Sequence, residues 1–448
     1  MNEMKDLPSG WSIAKLEDVC EIFDNKRVPI NGDEREIRIS GKKINELYPY
    51  YGATGQVGYI DDYLLEDEYI LLGEDGAPFL DPFKVKAYIV SGKIWVNNHA
   101  HILKAKILNK LVSHYLNRFN YRGFVTGTTR LKLNQSSMKN IPIKVPPLPE
   151  QYRIVAKIEE LFSELDKGVE SLKTAQQQLK VYRQAVLKWA FEGKLTEEWR
   201  RENSIRNDSW TSKRLGEYIE KIEAGKSFKC IERPPVNDEI GVVKVSAVTW
   251  GVYDENESKT CPDTNRVKQE YFIKSGDFLF SRANTLQLVG ACVIANKVEK
   301  NIMLSDKILR ITFCNIIPKY CLYYLRSKKG RDEIERLATG NQESMRNIGQ
   351  DRIKMININI CSLDEQAKIV QEIESRLSVC DKMEEAIQKS LEQAEALRQS
   401  ILKKAFEGKL VPQDPNDEPA EKLLERIRLE NQNSTTKPTK KKAKGAVK

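Results

Sequence analysis

Histidine is nearly missing from this chain: His99, His101 and His114 are the only three in 448 residues. No cysteine or acidic cluster accompanies the pair in NNHAHIL, so His99 and His101 read as hydrogen-bonding residues of a packed sheet edge rather than metal ligands. Long apolar runs are missing too: nothing approaches the roughly 18 residues of a membrane span. MNEMKDLPSGW lacks the apolar core of a signal peptide. The eight cysteines (Cys20, Cys230, Cys261, Cys292, Cys314, Cys321, Cys361, Cys380) form no CxxC pair, and reduced, buried thiols in a cytoplasmic protein are expected. Catalytic signatures are equally scarce. AGKS (224–227) would need glycine where Glu220 stands to be a phosphate loop, and GATGQVG (52–58) lies in the wrong context for a dinucleotide fingerprint. There is no helicase signature, and none of the proline-proline-aromatic type that marks amino-methyltransferases. An enzyme site held wholly in this chain is not expected.

What is present is charge and repetition. The chain is 40% hydrophobic and 31% charged, a soluble globular composition with a highly ionic surface, and its length suits two or more domains. Of the net charge of +9, six units belong to Lys437, Lys440, Lys441, Lys442, Lys444 and Lys448 in the tail STTKPTKKKAKGAVK. That tail reads as disordered, at most a nonspecific polyanion contact. The remaining body is only mildly basic, so nucleic-acid binding would rest on local patches.

AFEGKL occurs at 190–195 and again at 405–410. Read backwards from these hexapeptides, residues 150–195 and 365–410 align without a gap, identical at 21 of 46 positions and offset by 215 residues. A duplication without insertions indicates a segment of constrained length. Both copies are helical in period. Ile154, Ile158, Leu161, Leu165, Leu172, Leu179, Tyr182 and Val186 form one stripe. Ile369, Ile373, Leu377, Cys380, Met383, Ile387, Ala394, Leu397 and Ile401 form the other. Steps averaging 3.5 residues are a coiled-coil seam. PPLPEQ (146–151) bars continuation of the helix backwards, and Gly193 and Gly408 mark the ends. Each helix of about 46 residues would span roughly 70 Å, and the nearest partner for its seam is the other copy, antiparallel.

The segments before the helices correspond more weakly. Trp11 matches Trp210, Leu16 matches Leu215, and Thr126-Gly127 matches Thr339-Gly340. Between these anchors the halves diverge into short β-branched and aromatic runs broken by Gly, Asp and Asn, as in mixed, sheet-rich domains. The expected class is α+β: two sheet-rich domains joined by two long helices in an antiparallel coiled coil, a pseudo-two-fold internal repeat. Expected boundaries are 1–146 (first domain), 147–200 (central helix), 201–360 (second domain), 361–410 (C-terminal helix) and 411–448 (short helix and lysine-rich tail).

This layout resembles the specificity subunits of Type I restriction–modification systems. The resemblance rests on LPSGW (7–11), PPLPEQ followed by IV, the helices ending AFEGKL, and RQSILKKAFEGKLVPQDPNDEPAEKLLERIR (398–428). YPYYGATGQVGYIDDYLL, with LGEDGA and VNNHAHIL downstream, is similar to one kind of target recognition domain in that family. CSLDEQ in place of a second PPLPEQ, and TEEWR after the first AFEGKL, depart from the pattern. The resemblance implies a non-catalytic DNA-reading subunit. Each variable domain would read one half of a bipartite asymmetric double-stranded target, and the helices would set the unread gap. They would also dock two methyltransferase subunits. S-adenosylmethionine, ATP and Mg would belong to those and to restriction/translocase subunits, with no cofactor, metal or membrane contact in this chain. A coiled-coil adaptor with two β-rich protein-binding domains is the main alternative, and a fused methylating enzyme the second.

Reading bases requires Arg or Lys at guanine edges and Asn or Gln at adenine edges. GTTRLKLNQSS (127–137) offers Arg130, Lys132, Asn134 and Gln135, alternating as on a strand. In the second domain FSRANT (280–285) offers Arg282 and Asn284, and TGNQESMRN (339–347) offers Asn341, Gln342 and Arg346. For subunit docking and the coiled coil the candidates are Ile154, Ile158, Leu165, Leu172, Leu179, Phe191, Ile369, Ile373, Leu397, Ile401 and Phe406.

Overall fold

The computed structural model describes residues 7–206, 209–249, 251–342 and 344–435; the lysine-rich tail expected to be disordered lies outside them. The chain divides into two compact units, one formed by residues 1–172 with 388–448, the other by the single stretch 173–387. Each unit therefore takes half of each long helix.

In unit 1 the central sheet is antiparallel, in the order Cys20–Ile22, Ala100–Ala105, Tyr69–Gly73, Ala87–Val90. Its inward residues Ile70, Leu72 and Leu103 carry no exposed surface. A second sheet pairs Gly55–Ile60, Tyr48–Gly52, Lys93–Val96 and Leu65–Glu66, with one parallel contact between Tyr48–Gly52 and Lys93–Val96. Ser12–Lys15 and Pro142–Val145 make a two-stranded ladder that brings the domain's two ends together.

Unit 2 repeats this arrangement from different residues. Its central sheet runs Ile219–Ala224, Ile308–Phe313, Phe278–Ser281, Cys292–Ile294. The second sheet, Ser258–Thr260, Gly241–Val243 and Ile302–Met303, keeps one parallel contact. The closing ladder is Thr211–Arg214 with Asn357–Ile360. Small contacts repeat as well. Leu16 donates its backbone N–H to Ile141 O and Leu215 donates to Ile356 O. Gln151 bridges Leu108 N and Pro146 O, as Gln366 bridges Ile317 N and Cys361 O. A helix found in unit 2 alone, Lys328–Leu337, packs Ile334 and Leu337 into the core.

The long helices are Leu148–Phe191 and Leu363–Phe406, each of 44 residues. The first begins inside PPLPEQ, where Pro149 is tolerated because first-turn N–H groups have no helical acceptor. Gly193 and Gly408 end them in the left-handed conformation, at φ of 76° and 70°. Within unit 1, Ile154, Val155 and Ile158 share a core with Ile401, Leu402, Ala405 and Phe406. Farther along, Arg398 pairs with Asp166 and lies over the Phe162 ring, so the strands of this coil run antiparallel. Within unit 2, Val186, Leu187, Ala190 and Phe191 pack with Ile369, Val370 and Ile373, and Arg183 reaches Asp381 and Glu384.

Two positions of the expected second stripe are corrected. Leu397 is 50% exposed and Met383 53% exposed. A stripe of buried and half-buried positions runs 380, 384, 387, 391, 394, 398 and 401, in steps of four then three, with 390 and 399 half-buried beside it. The expected stripe took three then four and landed one residue early. Arg398 fills the place assigned to Leu397, its guanidinium lying over the Phe162 ring and pairing with Asp166. Ile154, Ile158, Phe191, Ile369, Ile373, Ile401 and Phe406 are buried, while Leu165, Leu172 and Leu179 are half-buried.

The duplicated hexapeptide closes each unit. Phe191 meets Tyr320 and Tyr324 edge-on at 5.3 and 5.1 Å in unit 2, and Phe406 meets Tyr115 edge-on at 5.0 Å in unit 1. After Phe406 the chain continues over unit 1: Ala420 N bonds Gly10 O, Arg153 pairs with Asp417, and Ala420, Leu424 and Ile427 of the helix Ala420–Thr435 enter the core.

Candidate nucleic-acid interface

The matched Thr-Gly dipeptides begin the same device in both units. In unit 1, Thr126 and Lys132 exchange backbone hydrogen bonds of 2.9 and 2.8 Å and pinch off residues 127–131. Gly127 turns the chain at φ +98°, where a Cβ would sit 2.4 Å from Arg130 O. In unit 2, Thr339 pairs with Asn347, and Gly340 turns at φ +122°, its missing Cβ 2.5 Å from Met345 O. Both loops then tie to the central sheet. Leu133 N donates to Glu74 O and Ile348 N donates to Arg282 O, so Glu74 and Arg282 occupy corresponding places.

The side chains displayed there differ. Arg130 is exposed, lies along Gly76, and donates to Asp75 Oδ1 at 2.9 Å. His99 Nδ1 holds the same carboxylate oxygen at 2.6 Å. Lys132, also exposed, pairs with Glu74 at 3.2 Å, and Arg27 binds Glu74 from the other side. Beneath the loop His101 is fully buried, with Nδ1 2.6 Å from Asp24 and Nε2 2.8 Å from Leu133 O. Burial would raise the Asp24 carboxyl, but hydrogen bonds from His101, Ile102 and Gln135 outweigh it and hold it below the usual range. Glu74 is depressed likewise, with Arg27, His101 and Lys132 overcoming burial. The loop thus rests on a fixed polar floor.

Asn134 and Gln135 are not strand positions, contrary to expectation. Asn134 caps the helix Gln135–Lys139 by accepting from Ser137 N, and Gln135 donates to Asp24 at 2.9 Å. Asx capping outcompetes extension here because the short side chain satisfies an orphan helix N–H. Asn134 is half-buried and Gln135 exposed, beside the exposed, ion-paired Arg130 and Lys132.

In unit 2, Ala283 and Asn284 pair with Asn347 and Arg346, joining FSRANT to the loop as one three-stranded ribbon. Arg282 is half-buried and forms no ion pair among the described residues. Asn284 Oδ1 accepts from Thr285 N. Asn341 lies on strand Thr339–Gln342, where Gln342 is exposed. Arg346 donates through Nη1 to Gly340 O, while its buried Nε meets no partner among the described residues.

Sequence reasoning named the presented cations and missed the carboxylates and histidines supporting them. Their signal was present in GEDG (73–76) and NNHAH (97–101), which only the fold brings together. AGKS is a packed crossing: a Cβ on Gly225 would fall 1.8 Å from Leu304 O. Among the described residues no group of His, Cys, Asp or Glu could hold a metal ion, and no helix is long and apolar enough to cross a membrane.

A family model described as Type I restriction modification DNA specificity domain matches residues 8–179 and 207–393, one copy per repeat. The chain is 28% identical over 355 residues to the Type I restriction enzyme EcoKI specificity subunit of Escherichia coli strain K12, covering 75% of each. It is 26% identical over 395 residues to a putative type I restriction enzyme specificity subunit of Haemophilus influenzae, covering 85% of this chain and 91% of that one. Among solved structures, a chain from work on complex assembly and conformational transition of the type I R-M system aligns with TM-score 0.65 at 18% identity, over 90% of this chain and all of that one. The HsdS subunit from Thermoanaerobacter tengcongensis aligns with TM-score 0.51 at 19% identity, over 91% and 99%. These two likenesses support the α+β fold. The match does not favour an adaptor or a fused methylating enzyme. With both repeats matched, the chain belongs to the Type I restriction–modification DNA-specificity family, as a recognition subunit without chemistry of its own.

Proposed function

We propose that each unit reads one half of a bipartite, asymmetric double-stranded DNA target through its Thr-Gly loop. The observation that carries this is one loop built twice on equivalent sheets while the residues on and beside it change, Arg130 and Lys132 in one unit, Arg282, Asn284, Asn341, Gln342 and Arg346 in the other. Conserving the mount and varying the tips yields two different half-sites. Base-edge contacts would carry sequence and the remaining cations would set register on phosphates. The two long helices would act as the spacer fixing the unread gap and as the docking rod for two methyltransferase subunits. Ile154, Ile158, Leu165, Leu172, Leu179, Phe191, Ile369, Ile373, Ile401 and Phe406 would hold that rod together. The S-adenosylmethionine site would lie on the methyltransferases, and ATP and Mg on restriction subunits joining them in the cytoplasm.

Modified-base sequencing of DNA from cells carrying this chain and a methyltransferase partner tests the reading. A gapped, asymmetric methylated motif is expected. Arg130→Ala should relax or abolish one half-site at a cost of about 1–3 kcal/mol and leave the other half intact. A continuous motif, or loss of both halves together, would contradict the assignment.

A further inference from the structure

The edge of the second sheet in unit 2 carries a feature to which the proposed DNA reading assigns no role. Strand Ser258–Thr260 pairs on one side with Gly241–Val243. On its other side Ile231 meets Thr260 in an isolated antiparallel bridge, the two exchanging backbone hydrogen bonds of 2.9 and 3.0 Å. One step out from such a hydrogen-bonded pair, an antiparallel ladder places two residues directly opposite at its closer spacing, Cα atoms about 4.5 Å apart. Those two residues are Cys230 and Cys261. That spacing falls within the roughly 4.4–6.8 Å that a disulfide spans.

Both thiols are free and half-buried, so a small reagent can reach them. Each is weakly held: Cys230 Sγ lies 3.5 Å from Phe228 O and Cys261 Sγ 3.2 Å from Asp263 O. Burial pushes the Cys230 thiol up, with the facing Cys261 adding to the rise while Lys259 and Arg266 oppose it. Of the other cysteines, Cys20, Cys292, Cys321, Cys361 and Cys380 are buried and Cys314 is half-buried.

We propose that Cys230 and Cys261 form a modification site, a reversible cross-strand disulfide made by exchange with a low-molecular-weight disulfide such as oxidised glutathione. One protein thiolate attacks a glutathione sulfur, forming a mixed disulfide and expelling one glutathione. The facing thiolate attacks the protein-side sulfur of that mixed disulfide and expels the second. Two protein thiols and one oxidised glutathione become one protein disulfide and two reduced glutathiones. The bond closes residues 230–261 into a covalent loop and ties the segment bearing exposed Lys226 and Lys229 to strand Ser258–Thr260.

The test exposes the full reduced chain to oxidised glutathione, followed by mass spectrometry of the intact protein and its non-reduced digest. The expected product has lost two hydrogens and contains one peptide joining Cys230 to Cys261. The oxidised chain should unfold several degrees higher, reverting with dithiothreitol. Cys261→Ser should instead retain one glutathione on Cys230 and show no such rise. Glutathione held stably by both cysteines without a linked peptide, a link between other cysteines, or an unmodified pair would each overturn the proposal.

Discussion

Replacing Arg200 by methionine probes the segment that follows the first AFEGKL. Arg200 Nη1 lies 2.5 Å from Glu365 Oε1 and 2.9 Å from Thr196 Oγ1, while Nη2 donates to Gly193 O at 2.7 Å. Thr196 Oγ1 also donates to Glu365, at 2.8 Å. The two charged side chains are 6% and 1% exposed. Methionine keeps the volume but leaves the Glu365 carboxylate buried with only a hydroxyl donor. Breaking a buried pair from one side costs about 3–5 kcal/mol, because the surviving charge cannot recover its water. Removing that charge as well, in Arg200→Met with Glu365→Gln, should recover roughly 1–3 kcal/mol of the loss as coupling energy. Urea unfolding read by tryptophan fluorescence gives the size, and hydrogen exchange at residues 363–373 localises it. A single-variant loss under about 1 kcal/mol, or a double variant no more stable than the single, would refute the reasoning.

Other expectations follow from the same geometry. His114 stacks edge-on against Phe162 at 5.6 Å, and burial lowers its imidazole to about 4. Its unfolded value near 6.5 means the unfolded chain binds the extra proton first, so stability is full above about pH 6.5 and is lost toward pH 4. The ring's partial exposure cuts the ideal effect to about 1–2 kcal/mol, and His114→Phe should flatten unit 1 unfolding over that pH window. Gly127→Ala should weaken DNA retention about tenfold or more with little loss of melting temperature, since the clash is confined to the loop; unchanged retention would separate that loop from DNA. Phe406→Ala should cost unit 1 about 3–5 kcal/mol in thermal unfolding, and full stability would mean the hexapeptide does not close the unit. Inserting one helical turn into the first long helix should lengthen the unread gap, and a changed half-site sequence would rule out the spacer role.

The repeat was legible because packing repeats its own letters. Trp11 and Trp210, Leu16 and Leu215, and the two Thr-Gly turns recur for backbone and core reasons that leave a mark at fixed positions. Seam positions near the cores were legible too, as at Ile158 and Ile373. Toward the middle of the second helix a one-residue ambiguity in phase cannot be resolved by hydrophobicity alone, because the charged Arg398 takes a seam position with its guanidinium over the Phe162 ring. The support for Arg130 was not legible. Asp75 and His99 lie far from it in sequence, and ion pairing between loops leaves no period to read.

The division of the helices between units has a temporal consequence. Unit 2 is one stretch of chain and can complete itself as it is synthesised. Unit 1 cannot, since Ile401, Leu402, Phe406, Ala420 and Leu424 of its core are made only after all of unit 2. At synthesis rates of about 5–20 residues per second, a delay of one repeat leaves its core incomplete for on the order of 10–40 s. The first domain begun is the last one finished.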